Sequence, residues 1–297
     1  MARVIDPAEI AKEFRKLIRQ RVAQLGVPLK LVGFLSSDNA PSMTYASYTK
    51  AGCDDVGIDY ELRHVNKLAL AAAVDTANAD PSVHGIMVYY PIFATEQDAY
   101  IKDLVDHRKD IEGLNTYWAR MLYHNQRYVD AAKTKQALLP CTPLAVIKLL
   151  EAAGALQRSG SDQAAALKGQ TVVIFNRSEV VGRPLASMLA NDGASVYSFD
   201  IDGPQLFHNG QVSETKVQRT DALRQADIVI TGVPSRQFPL VRTDEIRPGA
   251  VCLNFSTLRN FVPEIGNVAG VFIPRVGPMT VAMALRNTLR LYENYHA

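Results

Sequence analysis

The sequence of 297 residues has no run of about 18 consecutive apolar residues, which is the length that a membrane-spanning helix requires. It contains three cysteines, Cys53, Cys141 and Cys252, which lie far apart and form no CxxC pair. We therefore expect free thiols in a reducing compartment and no disulfide framework. The six histidines form no HExxH motif and no paired Cys/His spacing, so we expect no metal site.

The sequence also has little net charge. Its 32 lysines and arginines nearly balance its 30 aspartates and glutamates, which gives a formal net charge of +2. Nucleic-acid-binding domains usually concentrate basic charge, so we expect no nucleic-acid partner. The stretch Met1–Pro7 has neither the apolar segment of a signal peptide nor an Arg/Ser-rich transit segment. We expect a cytoplasmic protein without a membrane partner, and the length suggests about two domains.

The first half of the chain alternates short apolar runs with segments of helical spacing. The runs Leu31–Leu35, Ile58–Leu62 and Ile86–Tyr90 are typical of strands, and Ser42–Val56 and Leu68–Ala79 are typical of helices. Strands and helices that alternate at this spacing predict parallel pairing with right-handed crossovers. The first half is therefore expected to form an α/β layer of its own, with a boundary near Leu139.

The second half repeats the alternation. Its expected strands are Thr171–Phe175, Ser195–Phe199, Ile228–Thr231, Val251–Phe255 and Val268–Ile273. Several parallel strands with a glycine-containing first turn predict a dinucleotide-binding fold. The segment 154–168 is expected to be a surface loop, and Thr280–Tyr295 an amphipathic helix.

The turn after the first strand of this half is the strongest local signal. The strand Thr171–Phe175 leads into Asn176-Arg-Ser-Glu-Val-Val-Gly182, and a helix begins near Gly182. The free N–H groups at a helix start carry partial positive charge and suit a pyrophosphate. Within this turn Arg177 can pair with a phosphate or form a surface ion pair, and both interpretations stay open.

Asp200 follows the next strand, about twenty residues after the turn, where dinucleotide folds carry the acid that binds the adenosine ribose. A carboxylate there repels a 2′-phosphate by ~4 kcal/mol per charge pair at ~4 Å and an effective dielectric of ~20. Nothing basic in the following Ile201-Asp202-Gly203 compensates. We therefore predict NAD rather than NADP; the alternative is that Asp200 merely starts a turn.

Three later strands also end in polar or glycine-containing turns. These turns are Thr231-Gly232-Val233-Pro234-Ser235, Asn254-Phe255-Ser256 and Val276-Gly277-Pro278-Met279-Thr280. Ligands of open α/β sheets bind at this carboxyl edge, so the turns are candidate binding loops.

The first half carries polar and aromatic residues that a core does not require. Tyr45, Thr49 and Lys50 lie on the helix after the first strand, Tyr89-Tyr90-Pro91 ends the third strand, and Lys109–Asn115 follows a helix. An aromatic pocket with a carboxylate suits a flat heterocycle that bears hydrogen-bond donors. The alternative is an ordinary tyrosine-rich core.

Taken in order, these motifs resemble the methylenetetrahydrofolate dehydrogenase/cyclohydrolase family over nearly the whole chain. The matching segments are Tyr45 with its helix, Gly85–Pro91, Lys109–Gly113, Pro140–Pro143, Asn176–Pro184 and Val276–Met283. The resemblance implies two α/β domains with the active-site cleft between them. Residues 1–139 would bind folate, residues 140–279 would form a Rossmann-type doubly wound parallel sheet that binds the nicotinamide cofactor, and helix 280–297 would pack back on the first domain. It also implies a homodimer joined through the second domain.

The sequence departs from the bifunctional members of that family at five positions. Thr49 stands where they carry lysine, Tyr89 where they carry glutamine, and Glu112 where they carry aspartate. Asn176 replaces their first turn glycine, and Ile201 replaces a serine that helps NADP-using members bind phosphate. The combination resembles the monofunctional, NAD-dependent branch known from yeasts and other fungi.

The resemblance implies an oxidoreductase of one-carbon folate metabolism and purine biosynthesis that oxidises 5,10-methylenetetrahydrofolate to 5,10-methenyltetrahydrofolate with NAD. It implies a folate pocket in which Glu112 fixes the pterin, Tyr45 stacks on it, Thr49 and Tyr89 shape the space, and Pro278 contributes. The expected NAD-binding residues are Arg177, Ser178, Asp200, Ile201, Gly232, Val233, Pro234, Asn254, Phe255 and Ser256. Glu112 and Cys141 are the two candidate catalytic residues. The alternative for Cys141 is that it packs as a small, buried apolar residue.

Hydrolysis of the methenyl product needs a base to activate water, which typically contributes ~10²–10⁴-fold. A threonine hydroxyl cannot serve as that base, so we expect a dehydrogenase without effective cyclohydrolase activity. One alternative is a bifunctional enzyme in which Lys50 replaces the missing lysine, although Lys50 is displaced by about 100° around the helix from Thr49. The other alternative is a non-catalytic folate or nucleotide sensor.

Overall fold

The computed structural model describes residues 1–37, 39–156 and 166–297. The loop expected over 154–168 falls mostly on 157–165, which lie outside the described residues. The described chain divides into two compact units. The small-sheet unit comprises Ala11–Met121, Gln126–Cys141 and Thr280–Ala297, and the large-sheet unit comprises Met1–Ile10, Leu122–Asn125 and Thr142–Met279.

The small-sheet unit is built on three parallel strands in the order β3-β2-β4. These strands are β2 (Leu29–Leu35), β3 (Ile58–His64) and β4 (Gly85–Val88). The helices that contribute to this unit are α1 (Pro7–Leu25), α2 (Ala40–Val56), α3 (Leu70–Ala79), α4 (Gln97–Leu104), α5 (Thr116–Tyr123) and α9 (Gly277–Tyr295). The parallel strands expected from the first half are confirmed, and β4 ends at Val88 rather than at Tyr90.

Side chains that alternate along β2 and β4 separate the two faces of the small sheet. Val32, Phe34 and Val88 point into a buried cluster that includes Leu70 and Val74 of α3. The other face lies near α9, because a Cβ on Gly85 would be 3.4 Å from Thr288 Cγ2. The strand ends that carry the candidate residues are thus held between helices.

The large-sheet unit contains eight strands in the order β1-β11-β10-β9-β5-β6-β7-β8 within the described residues. The strands are β1 (Arg3–Val4), β5 (Thr171–Phe175), β6 (Ser195–Asp200), β7 (Gly203–His208), β8 (Gln211–Glu214), β9 (Ile228–Thr231), β10 (Val251–Asn254) and β11 (Val271–Ile273). Helices α6 (Cys141–Ala152), α7 (Gly182–Asn191) and α8 (Arg219–Gln225) accompany them. Of the five strands expected here, β11 begins at Val271 rather than at Val268. The amides of Val268 and Ala269 donate instead to the Ile265 carbonyl, in the turn that ends a 3₁₀ helix, Pro263–Asn267.

One edge of the large sheet differs from the expected all-parallel arrangement. β7 and β8 run antiparallel to their neighbours as a hairpin that follows β6. The hairpin turns at Asn209 and Gly210, whose φ angles of 49° and 74° are those of a type I′ turn. An Asn-Gly pair between two short strands is a recognised hairpin signal.

Two short segments of the expected first domain, residues 1–139, lie in the large-sheet unit. Residues 1–10 do so because Arg3 and Val4 pair in parallel with Val271 and Phe272 of β11. Leu122–Asn125 belong there as well, and the Leu122 carbonyl accepts a hydrogen bond from Asn191 Nδ2 at 3.4 Å. Thr280–Ala297 belong to the small-sheet unit. Within the described parts of the chain, no helix combines the length and apolarity needed to span a membrane.

Candidate functional site

The turn that carries Glu112 is built around the buried carboxylate of Asp110. This carboxylate accepts hydrogen bonds from the main-chain amides of Glu112 and Gly113, both at 3.0 Å, and of Asn115 at 2.7 Å. Burial raises the pKa of Asp110 to about 6, and the amide donors act in the opposite direction. Asp110 therefore fixes the backbone from which Glu112 projects.

The neighbouring Lys109 is buried but is committed to the backbone. Its ammonium donates to the carbonyls of Ala77, Asn78 and Asp80 at 3.0, 2.8 and 2.6 Å. These carbonyls lie at the end of α3, where a helix leaves acceptors unpaired. Lys109 thus closes α3, and its amine does not face the tyrosines that surround Glu112.

Glu112 is a half-buried carboxyl whose charge is disfavoured. Burial raises the pKa of Glu112 to about 8, and the nearby Asp110 carboxylate adds to the effect. Glu112 is therefore largely protonated at neutral pH in the unliganded chain. A ligand with N–H donors would favour its carboxylate form and could be oriented by it.

Tyr45 lies beside this carboxyl on α2. Its ring meets that of Tyr89 edge to face, with 5.6 Å between the centroids. Its hydroxyl is buried and has no hydrogen-bond partner among the described residues. Burial raises the pKa of Tyr45 well above its usual value, with Glu112, Cys141 and Tyr89 among its electrostatic neighbours. Tyr45, Tyr89, Glu112 and Cys141 are therefore brought together by the fold.

Thr49 completes this group one helical turn after Tyr45. It is fully buried, and its hydroxyl donates to the Tyr45 carbonyl at 2.9 Å. Tyr89 is also buried, and its hydroxyl lies 2.7 Å from that of Tyr60. Burial raises the pKa of Tyr89 to about 12, against the effect of the Thr49 and Tyr60 hydroxyls. The group therefore presents neutral hydroxyls around Thr49.

Cys141 occupies a buried position at the start of α6. Its thiol donates to the Ile111 carbonyl at 3.2 Å, and Asn287 Nδ2 lies 3.5 Å from its sulfur. Burial raises the pKa of the Cys141 thiol well above its usual value. The thiol is therefore protonated at neutral pH, which disfavours a nucleophilic role.

The turn after β5 in the large-sheet unit is closed by Asn176. Its side-chain nitrogen donates to the Gly232 carbonyl at 2.9 Å, and its side-chain oxygen accepts from the Ser178 amide at 3.0 Å. The Ser178 hydroxyl in turn accepts from the amides of Val181 and Gly182 at 3.3 and 3.4 Å. The first amides of α7 therefore have a local side-chain acceptor.

Arg177 and Asp200 are connected across the ends of β5 and β6. The Arg177 amide donates to the Asp200 carboxylate at 2.6 Å, and the Ile201 amide donates to its other oxygen at 2.8 Å. The Arg177 guanidinium donates to the carbonyls of Ser198 and Gly203 at 3.0 and 2.9 Å. Arg177 thus braces the β6–β7 turn, a bonding pattern that neither sequence alternative described.

The loops after β9 and β10 are fastened to each other. A Cβ on Gly232 would lie 1.9 Å from ring atoms of Phe255, so only glycine fits beneath that ring. The Ser256 hydroxyl donates to the Val233 carbonyl at 3.0 Å. Asn254 is buried, and its side-chain oxygen accepts from the Ser256 amide at 3.2 Å.

The two loops also share Asn260, which the sequence analysis missed. This fully buried side chain accepts from the Val233 amide at 2.9 Å and donates to the Val233 carbonyl at 3.0 Å. Pro234 follows on the exposed surface, and Pro278 lies in the first turn of α9. The candidate loop residues of the large-sheet unit thus form a cross-linked edge.

Family models match the two parts of the chain separately. The catalytic domain of tetrahydrofolate dehydrogenase/cyclohydrolase matches residues 5–112, and the NAD(P)-binding domain of that family matches residues 140–296. The chain belongs to the tetrahydrofolate dehydrogenase/cyclohydrolase family.

Individual members of the family match along almost the full length. Methylenetetrahydrofolate dehydrogenase (NAD+) of Schizosaccharomyces pombe is 41% identical and covers 97% of this chain and 92% of its own. The protein of the same name from Dictyostelium discoideum is 42% identical, over 98% of this chain and 94% of its own. The solved NAD-dependent 5,10-methylenetetrahydrofolate dehydrogenase of Saccharomyces cerevisiae has a TM-score of 0.92 at 37% identity, covering 99% and 98% of the two chains.

Lys50 is the residue that could replace the lysine of bifunctional family members. It points away from the buried group around Thr49. Its ammonium lies 2.9 Å from both carboxylate oxygens of Asp54, and both side chains are more than half exposed, at 58% and 59%. Thr49, in contrast, is buried against Tyr45. Because successive residues of a helix point about 100° apart, the one-residue offset places Lys50 on the exposed side of α2 and Thr49 on the buried side.

Three further residues of this family member were not found by sequence reasoning. Tyr60 reaches Tyr89 from β3, Asn287 reaches the Ile111 carbonyl from α9 at 2.9 Å, and Asn260 joins two loops. An asparagine within an apolar helical stretch was a usable signal for Asn287. Tyr60 had no such signal, because tyrosine is common in strands.

Proposed function

We propose that this chain oxidises 5,10-methylenetetrahydrofolate to 5,10-methenyltetrahydrofolate with NAD, and that it does not hydrolyse the product. The observation that carries the proposal is that Thr49 is buried among neutral hydroxyls. At this position the bifunctional members of the family carry a lysine, whose amine would serve as the base. Relatives at 41% and 42% identity, named methylenetetrahydrofolate dehydrogenase (NAD+), support the oxidation with NAD.

Folate binding is supported by the group of Glu112, Tyr45 and Tyr89. A pterin ring is flat and carries amino and ring N–H donors on one edge. The Glu112 carboxylate can accept those donors, and the Tyr45 ring supplies an aromatic face beside it. The buried Tyr45 hydroxyl, which has no hydrogen-bond partner in the described part of the chain, fits a polar ligand in this place. Pro278 is proposed as an apolar contact to the substrate.

NAD binding is supported by the chemistry of Asp200. Its exposed carboxylate can accept hydrogen bonds from the two hydroxyls of an unphosphorylated ribose, and it would repel a 2′-phosphate. Arg177 orients the carboxylate through its main-chain amide, and Ile201, which is 97% exposed, offers an apolar contact beside it. The remaining proposed contacts are Ser178, Gly232, Val233, Pro234, Asn254, Phe255 and Ser256.

The oxidation requires little acid–base catalysis by the protein. A hydride leaves the methylene carbon, and the lone pairs of the two flanking nitrogens stabilise the resulting cation. When bound, NAD supplies the ring that accepts the hydride. Glu112 and Tyr45 hold the pterin in register, which supplies the orientation on which the rate depends. Cys141, a protonated thiol bonded to the Ile111 carbonyl, holds the backbone next to Glu112.

Hydrolysis would require a proton acceptor next to the methenyl carbon. Thr49, Tyr89 and Tyr60 carry hydroxyls that are not bases at neutral pH, and Lys50 is paired with Asp54. The product is therefore expected to leave the enzyme intact.

We also propose a cytoplasmic homodimer joined through the large-sheet unit. The three cysteines are free and buried, which suits a reducing compartment. The exposed edge strand β8 offers main-chain groups that a second copy could cover.

The proposal is tested by comparing NAD and NADP as oxidants of 5,10-methylenetetrahydrofolate. We expect kcat/KM to favour NAD by about tenfold or more. Equal use of both cofactors would remove the role given to Asp200, and folate binding without reduction of either cofactor would favour the sensor.

A further inference from the structure

Tyr60 lies across Gly33 in the small sheet. A Cβ on Gly33 would be 2.3 Å from the Tyr60 hydroxyl oxygen and 3.0 Å from two atoms of its ring. The parallel register pairs Tyr60 with Leu31 and places Gly33 two residues further along β2. Glycine at this position thus makes room for a whole phenol group on the sheet.

The Tyr60 hydroxyl ends 2.7 Å from the Tyr89 hydroxyl. Tyr89 is only 2% exposed and packs edge to face against Tyr45, with 5.6 Å between the ring centroids. Thr49 contacts Met87 from the same side, at 3.8 Å between its hydroxyl and the sulfur. The Thr49 hydroxyl also acts to lower the pKa of Tyr89. Tyr60, Tyr89 and Thr49 therefore lie next to one another, and the two phenol hydroxyls are hydrogen-bonded to each other.

We propose that Tyr60 is a specificity-determining residue that suppresses hydrolysis by filling the space beside Tyr89 and Thr49 where water would attack. This inference rests on the proposed function. In the suppressed reaction a water oxygen bonds to the methenyl carbon and loses one proton to a base. The bond from that carbon to one nitrogen then breaks as the nitrogen takes up the second proton, so that a formyl group forms and one proton is released overall.

Filling the space and lacking a base are separable obstacles. Thr49 accounts for the missing base, and Tyr60 accounts for the missing water. A lysine introduced at position 49 alone supplies an amine, but the phenol of Tyr60 still fills the space beside Tyr89 from which water would attack. The proposal therefore predicts that the two changes act together rather than independently.

The experiment measures the decay of added 5,10-methenyltetrahydrofolate with the variants T49K, T49K/Y60A and T49K/Y60F. We expect T49K/Y60A to accelerate decay over T49K by about tenfold or more, which is within the contribution of a positioned base. T49K/Y60F keeps the ring volume, so its decay rate should stay within about threefold of T49K. T49K/Y100A, which removes a tyrosine that is 61% exposed in the same unit, is the matched control and should equal T49K.

Equal decay rates with T49K and T49K/Y60A overturn the proposal, whether both are fast or both equal the spontaneous rate. Acceleration by T49K/Y60F as large as that by T49K/Y60A also overturns it, because the hydroxyl rather than the volume would then matter. Thermal melting of each variant and the ratio of hydrolysis to dehydrogenation separate this role from general loss of structure. The unmodified protein, tested for NAD reduction first, tests the proposed function independently.

Discussion

The main-chain amide of Arg177 donates to the side-chain carboxylate of Asp200 at 2.6 Å, which joins the ends of two neighbouring parallel strands. The carboxylate is thereby held in one orientation although it is exposed. Because Ile201 donates to its second oxygen, both oxygens have a main-chain partner and at least one lone pair each left for a ligand. This arrangement fits recognition of ribose hydroxyls.

Asp200→Ser should weaken discrimination against NADP. Removing one negative charge near a 2′-phosphate relieves ~4 kcal/mol per charge pair before screening, and an exposed site retains only part of it. We expect the NAD/NADP ratio of kcat/KM to fall by about 10- to 100-fold, which is about 1.4 to 2.8 kcal/mol. Steady-state kinetics with both cofactors measure this ratio. Asp202→Ser, an exposed acid two residues on, is the charge-matched control, and an equal effect of both variants would contradict the assignment.

Folate binding should strengthen as pH rises toward the pKa of Glu112, which burial raises to about 8 in the free chain. Below that pH the carboxyl is protonated and cannot accept both pterin donors, so kcat/KM for folate should fall by up to about tenfold per pH unit. Above it, kcat/KM should level off.

Glu112→Gln removes this titration. We expect a flat kcat/KM profile for folate and an affinity lower by about 10- to 100-fold, since hydrogen bonds to charged groups contribute about 1.5 to 3 kcal/mol. Glu96→Gln, an exposed glutamate of the same unit, should retain the normal profile. An unchanged profile in Glu112→Gln would mean that another group controls binding.

Gly232→Ala should impair NAD use more than folate use. The new Cβ would meet the Phe255 ring at 1.9 Å, so the loops after β9 and β10 must separate. We expect the KM for NAD to rise by about tenfold or more and the KM for folate to stay within about twofold. Gly266→Ala, where the nearest atom would lie at 3.8 Å, is the control. An unaltered KM for NAD would exclude these loops from the cofactor site.

Lys50→Met should change neither oxidation nor product decay. Its ammonium is exposed and paired with Asp54, and such surface pairs contribute about 0 to 1 kcal/mol to stability. Kinetics and urea unfolding should therefore match those of Lys12→Met, another exposed lysine. If the unmodified protein accelerates methenyl decay and Lys50→Met abolishes the acceleration, the bifunctional alternative is correct.

Asn287→Ala should destabilise the small-sheet unit. Its side-chain nitrogen donates to the carbonyls of Ile111 and Leu139 at 2.9 and 3.0 Å. Without it, Leu139 would lose this donor and Ile111 would keep only the weak donor of the Cys141 thiol. We expect a loss of about 2 to 4 kcal/mol in the free energy of unfolding. Thr288→Ala, whose hydroxyl bonds to Ala284 within its own helix, should cost less in the same urea titration. An equal loss of unfolding free energy in the two variants would show that the hydrogen bonds of Asn287 to Ile111 and Leu139 contribute little to stability.

The parallel strands were predictable because each is a short apolar run bounded by turn residues, as in Thr171–Phe175 and Ile228–Thr231. The first turn of the large sheet was also predictable from local sequence. The β7–β8 hairpin could have been predicted from Asn209-Gly210 alone. The placement of Arg3–Val4 in the large sheet could not, because its pairing partner lies at the other end of the chain.

The sequence predicted that some of the candidate residues lie together, but not how they are bonded. Tyr45 and Thr49 share a helix face because they are four positions apart. The contact of Tyr60 with Tyr89 depends on the registers of β3 and β4 against β2, which the sequence does not specify. The bond from Asn287 to Ile111 joins residues 176 positions apart. Contacts of these kinds follow from tertiary packing rather than from any local pattern.

The most direct test of an oxidation that stops at the methenyl product is the ratio of accumulated 5,10-methenyltetrahydrofolate to NADH during turnover. We predict a ratio that stays at about one, corrected for the spontaneous decay measured without protein. A ratio that falls with time in proportion to protein concentration would contradict the account, because the chain would then hydrolyse what it makes.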